Sequence, residues 1–282
     1  MNYRHAYHAG NFADVMKHAL LTRILSHLLN KETPFRVIDT HAGIGRYDLE
    51  SVEAGKTLEW QGGIGLLDEP LSEQAEALLA LYRGIIAQVR LESGSNAYPG
   101  SPLITAHMLR RQDRAIFVEK HPVDNGLLAE CFRRNKRVKV LELDGWTALK
   151  AMIPPPENRG MVLIDPPFEV EGELGHLAEA MIQAARKWRG GIIAGWYPIK
   201  DAAPVEAMAR TLADSGVLKI LRLELLIDTA DNPSRLNGCG LVVINPPWKL
   251  AEEAGVLLPA LAERLVRGDR AGYRCDWLAG EG

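Results

Sequence analysis

Asp165-Pro166-Pro167-Phe168 follows directly on the apolar run Met161-Val162-Leu163-Ile164, and residue type and spacing here prescribe a particular chemistry. A carboxylate offers only hydrogen-bond acceptors. The two prolines after it stiffen the turn and contribute no N–H of their own, so the Pro166 carbonyl is left as a second acceptor. Phe168 adds a flat apolar surface on which a ring can stack. Such a corner suits an amino group conjugated with an aromatic ring, whose lone pair is delocalised. The acceptors take its hydrogens and hold the nitrogen in line with an electrophile, and positioning alone can supply much of a rate enhancement. The implied reaction is methyl transfer to an amino nitrogen, with Asp165, Pro166 and Phe168 at the reacting centre.

The pattern occurs twice. Asn245-Pro246-Pro247-Trp248 follows Gly240-Leu241-Val242-Val243-Ile244, and on motif alone either loop qualifies. Chain order favours Asp165. Ligands of open parallel sheets bind beyond the carboxyl ends of the strands, and Asp39, Glu119, Asp144 and Asp165 each follow one of four successive predicted strands. Gly43 and Gly45 come after the first of these, where glycine lets backbone approach a ligand closely. A carboxylate at the second strand suits ribose hydroxyls, and one at the third suits the amino group of an adenine ring. Either of these two acids, Glu119 or Asp144, taken singly also suits a helix cap or a solvated position. Asn245, after the last strand, is read as structural or as a pocket wall.

The elements that must carry these groups follow from periodicity. Apolar spacing predicts helices over 11–30, 72–89, 101–111, 126–134, 147–152, 174–188 and 204–215, with Ser101 as N-cap and Pro102 in the first turn of the third. Short apolar runs predict strands over 35–38, 115–118, 138–143, 161–164 and 191–194. Two more, 219–227 and 240–244, come close together with no helix between them, which predicts one antiparallel strand. The alternation elsewhere argues a parallel sheet with helices on both faces. Residues 48–97 lack a strand pattern and read as a helical insertion. On the first helix, Asp14, Lys17 and His18 fall on the same stripe as Leu21, Leu25 and Leu28. Lys17 there either snorkels to water or faces the cleft.

The bulk numbers narrow the class. With 282 residues, 47% hydrophobic and 24% charged, the chain can bury a large α/β core, and a net charge of −3 announces no polyanionic partner. RNA contact would have to come from local charge, of which 110–114 and 133–139 are the densest runs. Three scattered cysteines give neither a disulfide framework nor a zinc motif. His5 and His8 lack companions at ligand spacing, so no metal is expected. No signal layout and no apolar stretch of roughly 18 residues appears, so a cytoplasmic protein with no membrane partner is expected.

Assembled, these residues resemble the ribosomal RNA large subunit methyltransferase J family, which N6-methylates one adenine of 23S rRNA. The resemblance rests on Tyr3-Arg4-His5 with His8-Ala9-Gly10-Asn11, Ala13-Asp14-Val15 with Lys17-His18, Asp39-Thr40-His41-Ala42 with Gly45-Arg46-Tyr47, Tyr98-Pro99-Gly100-Ser101-Pro102, Asp165-Pro166-Pro167, Trp196-Tyr197-Pro198 and Asn245-Pro246-Pro247-Trp248-Lys249. It implies a Rossmann-like class I methyltransferase fold, with 1–47 and 98–282 as the main domain and 48–97 as a small inserted helical subdomain. It also implies S-adenosyl-L-methionine as cofactor and monomeric behaviour. Cofactor contacts then fall on His18, His41, Gly43, Ser101, Glu119, Asp144, Gly145 and Asp165, while Lys17 joins the catalytic groups and Tyr3 and His5 join Phe168 at the substrate. Two departures stand out. His41 occupies a place where methyltransferases in general often carry glycine, a feature this family is similar in having. Phe168 stands where the family commonly has tyrosine, which keeps stacking and removes a hydroxyl. Other readings compatible with the catalytic loop are an amino methyltransferase acting on DNA adenine or cytosine or on protein glutamine, and a non-catalytic RNA-binding protein. A nicotinamide dehydrogenase lacks its Gly-x-Gly-x-x-Gly loop here.

Overall fold

The computed structural model describes residues 5–230, 234–268 and 271–280. In chain order the elements are α1 (Phe12–Leu29), β1 (Phe35–Asp39), β2 (Arg46–Asp48), α2 (Val52–Thr57), α3 (Glu73–Ser93), β3 (Ala97–Pro99), α4 (Ser101–Met108), β4 (Arg114–Glu119), α5 (Pro122–Phe132), β5 (Val138–Glu142), α6 (Gly145–Met152), β6 (Arg159–Ile164), α7 (Glu173–Lys187), β7 (Ile192–Ile199), α8 (Ala202–Ala213), β8 (Ile220–Leu226), β9 (Gly238–Ile244), α9 (Leu250–Leu265) and β10 (Gly272–Ala279). Single 3-10 turns lie at His5–Tyr7, Glu59–Gly62 and Ile64–Leu67.

Eight strands form one sheet in the order β10-β8-β9-β7-β6-β1-β4-β5. β1 pairs in parallel with both β4 and β6, β4 with β5, and β6 with β7. β9 is the reversed strand, antiparallel to β7 and β8. β10 is reversed as well and closes the far edge against β8. The chain runs outward from β1 to β5, then returns to the other side of β1 with β6. That reversal opens a crevice between the carboxyl ends of β1 and β6, the place where sheets of this type bind ligands. Alternate strand residues enter separate cores. Val37, Phe117 and Leu163 pack with α1, α4 and α9, while Ile38, Val118 and Ile164 pack with α6, α7 and α8.

Helix α1 has no solvent face over its first three turns, since Phe12 to Thr22 are buried throughout. Its polar residues must therefore find partners inside the protein. The segment between β2 and β3 begins and ends in a two-stranded antiparallel ribbon with Arg46 opposite Pro99, Tyr47 opposite Tyr98 and Asp48 opposite Ala97. Beyond the ribbon, α3 starts at a Ser72 cap and turns Leu79, Tyr82 and Ile86 into the same core that holds α1. Arg264 of α9 donates to the carbonyls of Leu66, Glu69 and Pro70, tying the segment to the C-terminal helix.

Candidate active site

The loops leaving β1, β4, β5 and β6 carry their acids to one end of the sheet, as the chain order predicts. Two cavities open there. The first, of about 360 Å³, is lined by His5, Lys17, His18, His41, Gly43, Ser101, Glu119, Asp144, Gly145, Asp165 and Pro166 among others. The second, of about 820 Å³, is lined by Phe168, Trp196, Phe12, Leu58, Glu59 and residues of three late loops. His5, Lys17, Asp165, Pro166, Pro167 and Glu169 line both, so the proline corner is the partition between them. Tyr3 lies outside the described residues.

A cation sits at the centre of the partition. Lys17 Nζ lies 2.6 Å from Asp165 Oδ2 and 2.9 Å from Asp14 Oδ1, and its side chain is nearly inaccessible. Burial alone would lower the Lys17 pKa, but Asp14 and Asp165 outweigh it and hold the ammonium well above the usual lysine range. Lys17 is thus a fixed charge that orients Asp165. Asp14 Oδ2 also meets His5 Nε2 at 2.9 Å and accepts the Gly10 N–H at 2.9 Å. Burial pushes the Asp14 carboxyl up, yet His5, Lys17 and His18 together hold it well below the carboxylate range. Burial brings His18 down to about 3. Its neutral ring stands 2.9 Å from the Tyr98 hydroxyl, which is 2.7 Å from that of Tyr82, linking α1 to the β2–β3 segment.

The first cavity is built of carboxylates and close backbone. Asp39 is buried beneath it, accepts from Ser101 Oγ at 2.7 Å, and is pushed up to about 6 by burial. Glu119 accepts the Gly43 N–H at 3.0 Å and the His121 N–H at 2.8 Å, and burial raises its pKa. Asp144 caps α6 through the Thr147 N–H at 3.1 Å and meets Lys120 Nζ at 3.1 Å. Burial pushes the Asp144 carboxyl up, and these two partners more than reverse it. His41 is lowered to about 4 by burial and meets Trp146 edge-on at 5.4 Å. Gly145 has to be glycine: a Cβ there would lie 2.4 Å from the Thr40 carbonyl and 2.5 Å from the His41 ring. Gly43 has φ of +62°, a region that favours glycine.

In the second cavity Phe168 meets Trp196 edge-on at 5.9 Å, and Lys17 Nζ lies 5.8 Å from the Trp196 ring. Trp196 walls this cavity and Trp146 the first. Trp196 enters the sequence motifs within Trp196-Tyr197-Pro198 without a role, and Trp146 is in none of them. Among the described residues no group of three or more His, Cys, Asp or Glu side chains converges as a metal site, and no helix is long and apolar enough to cross a membrane.

Two features lie elsewhere. Asn245 follows the reversed strand β9 and so lands at the opposite pole, where its Nδ2 donates to the carbonyls of Arg189 and Gly191 at 2.9 and 3.0 Å. The basic runs 110–114 and 133–139 precede or begin β4 and β5, so they too sit at that far pole. Arg110, Arg114 and Arg137 donate there to the carbonyls of Lys31, Arg111 and Leu109. Neither run lines the two cavities.

The geometry agrees with what the chain is similar to. A family model described as "Ribosomal RNA large subunit methyltransferase D, RlmJ" matches residues 32–279. The ribosomal RNA large subunit methyltransferase J of Escherichia coli (strain K12) is 36% identical over 281 residues, covering 100% of both chains. That of Haemophilus influenzae is 37% identical over 284 residues, again covering 100% of both. A crystal structure of a Legionella pneumophila protein is 35% identical, covers 96% of this chain and 98% of its own, and superimposes with a TM-score of 0.84.

Proposed function

The chain belongs to the RlmJ family of ribosomal RNA large subunit methyltransferases, and from that premise we propose that it methylates N6 of one adenine in 23S rRNA. The donor in this reading is S-adenosylmethionine, and the enzyme acts as a cytoplasmic monomer. The observation that carries it is the partition: Asp165 and Pro166 line both a cavity of nucleoside size and a larger aromatic-walled one.

The residues of the first cavity fit the donor. His18, His41, Gly43, Ser101, Glu119, Asp144 and Gly145 all line it. Glu119 keeps acceptor capacity for ribose hydroxyls after its two backbone bonds, because a carboxylate has about four lone-pair sites. Gly145 allows the backbone to press against His41 and form the floor. When bound, the donor supplies an electrophilic methyl on sulfur. The remaining work belongs to this chain. Asp165 and the Pro166 carbonyl accept the two amino hydrogens and fix the direction of the nitrogen lone pair. Lys17 keeps the Asp165 carboxylate in one orientation. Phe168 and Trp196 wall the base, and His5 closes the side towards the N-terminus. Residues 48–97 serve as an inserted subdomain bordering the substrate cavity through Leu58, Glu59, Gly62 and Leu66.

Labelled methyl transfer to 23S rRNA, duplex DNA and ribosomal protein, followed by nucleoside mass spectrometry, tests the reading. N6-methyladenosine in the RNA alone is the expected result. Label confined to DNA or protein would reject it.

A further inference from the structure

We infer that Lys200, Arg235 and Arg267 form a rim that grips the phosphates flanking the target nucleotide as it enters the larger cavity. The inference rests on the RNA reading above. The three cations come from three loops at the acidic pole: after β7, between β8 and β9, and between α9 and β10. All three line the larger cavity beside Phe168 and Trp196.

The charges are available to a ligand. Lys200 is exposed, and the Arg235 and Arg267 side chains are 56% and 43% accessible. Their shared acid, Asp228, stands 3.9 Å from Arg235 and 3.6 Å from Arg267. Arg222 shows what a saturated arginine looks like in this protein, with its fork on Asp276 at 2.9 and 2.7 Å. Arg267 gives one bond of 3.1 Å to the Leu236 carbonyl and keeps its remaining donors. Among the described residues Asp228 is the carboxylate that faces these arginines. Of the acids that line the cavity, Asp14, Asp165 and Glu59 are engaged by His5, Lys17, His8 and Asn11, and Glu169 lies beside Phe168 on the proline corner. The dense arginine runs lie at the other pole, where Arg110, Arg114 and Arg137 donate to the carbonyls of Lys31, Arg111 and Leu109, and they do not line this cavity.

The chemistry of entry requires such a rim. A base that reaches an interior cavity has left its stack, at a cost of a few kcal/mol. Contacts to phosphate position the strand without reading sequence. Arginine forks match phosphate geometry, and lysine serves as a point charge.

The test is steady-state methyl transfer to a 23S rRNA fragment over a series of salt concentrations. The variants are Lys200→Ala/Arg235→Gln/Arg267→Gln together and, because Arg267 also holds a loop carbonyl, Lys200→Glu/Arg235→Glu alone. Donor affinity and thermal melting are measured alongside. The expected result is a KM for RNA raised about tenfold or more, kcat within about twofold, and donor affinity unchanged. The slope of log(kcat/KM) against log[salt] should fall by about 2 in the triple variant, at ~0.7 per phosphate contact on a single strand. Arg235→Lys/Arg267→Lys should recover most of the lost KM, which a structural fork on Asp228 would not allow. An active wild-type enzyme whose KM and salt slope are unchanged in both variants overturns this inference alone. A wild-type enzyme inactive on the fragment overturns the RNA reading and the rim together.

Discussion

The two Pro-Pro loops begin from nearly the same sequence and end at opposite poles of the molecule. Asp165-Pro166-Pro167-Phe168 leaves β6, which runs parallel to β1, so it emerges at the cavity end beside Lys17. Asn245-Pro246-Pro247-Trp248 leaves β9, which runs antiparallel to β7, so it emerges where β7 begins. There Asn245 adopts φ of +54° and holds the carbonyls of Arg189 and Gly191. Phe168 lines a cavity, whereas Trp248 is 74% exposed with Lys249 Nζ at 4.8 Å from its ring. Strand direction decides which of two like loops reaches the two cavities and a buried cation.

That contrast can be broken or sharpened by substitution. Lys17→Met removes the buried cation paired with the acid of the first loop and leaves Asp14 and Asp165 facing each other in a buried site. Losing one member of a buried pair costs about 3–5 kcal/mol, so denaturant unfolding should show the largest loss of stability here, along with loss of transfer. Asp165→Ala should lower kcat by on the order of 10²–10³-fold, as for other positioned polar groups at a reacting centre, with donor binding by calorimetry retained. Unchanged turnover would remove Asp165 from the mechanism. Asp39→Asn tests the ground beneath the first loop. The Asp39 carboxyl is raised in the folded state to about 6, so its contribution is fully present below the ordinary carboxylate range and is lost as pH rises through about 6. Melts should therefore show a decline on the order of 1–3 kcal/mol between about pH 4 and pH 6 that flattens in the variant. Asn245→Ala should cost about 1–2 kcal/mol of stability through its two lost bonds while leaving kcat within about twofold. Phe168→Tyr should be smallest, with KM within about twofold because the ring surface survives.

Much of the site was legible because its chemistry is carried by short motifs at strand ends. Asp39, Glu119, Asp144 and Asp165 each stop a buried run, and all four reach one pole. Lys17 was legible as a polar residue on an apolar stripe with Asp14 three residues before it, but its second partner, Asp165, reaches it only through packing. Asp144 does two things that sequence left open, since it caps α6 and also faces the cavity. The ribbon β2–β3 was illegible because strands of three residues carry no period. Helix α9 holds Gly255 and Pro259 within its span, and these obscure an otherwise helical pattern. β10 alternates weakly because it is an edge strand with few buried positions. The basic runs 110–114 and 133–139 could not be placed relative to the cavities from sequence, for a physical reason. Charge density along the chain says nothing about which end of a parallel strand a loop occupies.

The β2–β3 ribbon has a last consequence. Because Tyr47 and Tyr98 face each other across one ladder, the chain leaves and rejoins the catalytic body through a single narrow doorway. A segment from another member of the family could be grafted there without altering any register of the main sheet, provided it offers α1 an apolar face like that of α3. Chimeras made at this junction would test what residues 48–97 contribute, so long as the Tyr82–Tyr98–His18 chain and the Glu59 contacts to His8 and Asn11 are kept.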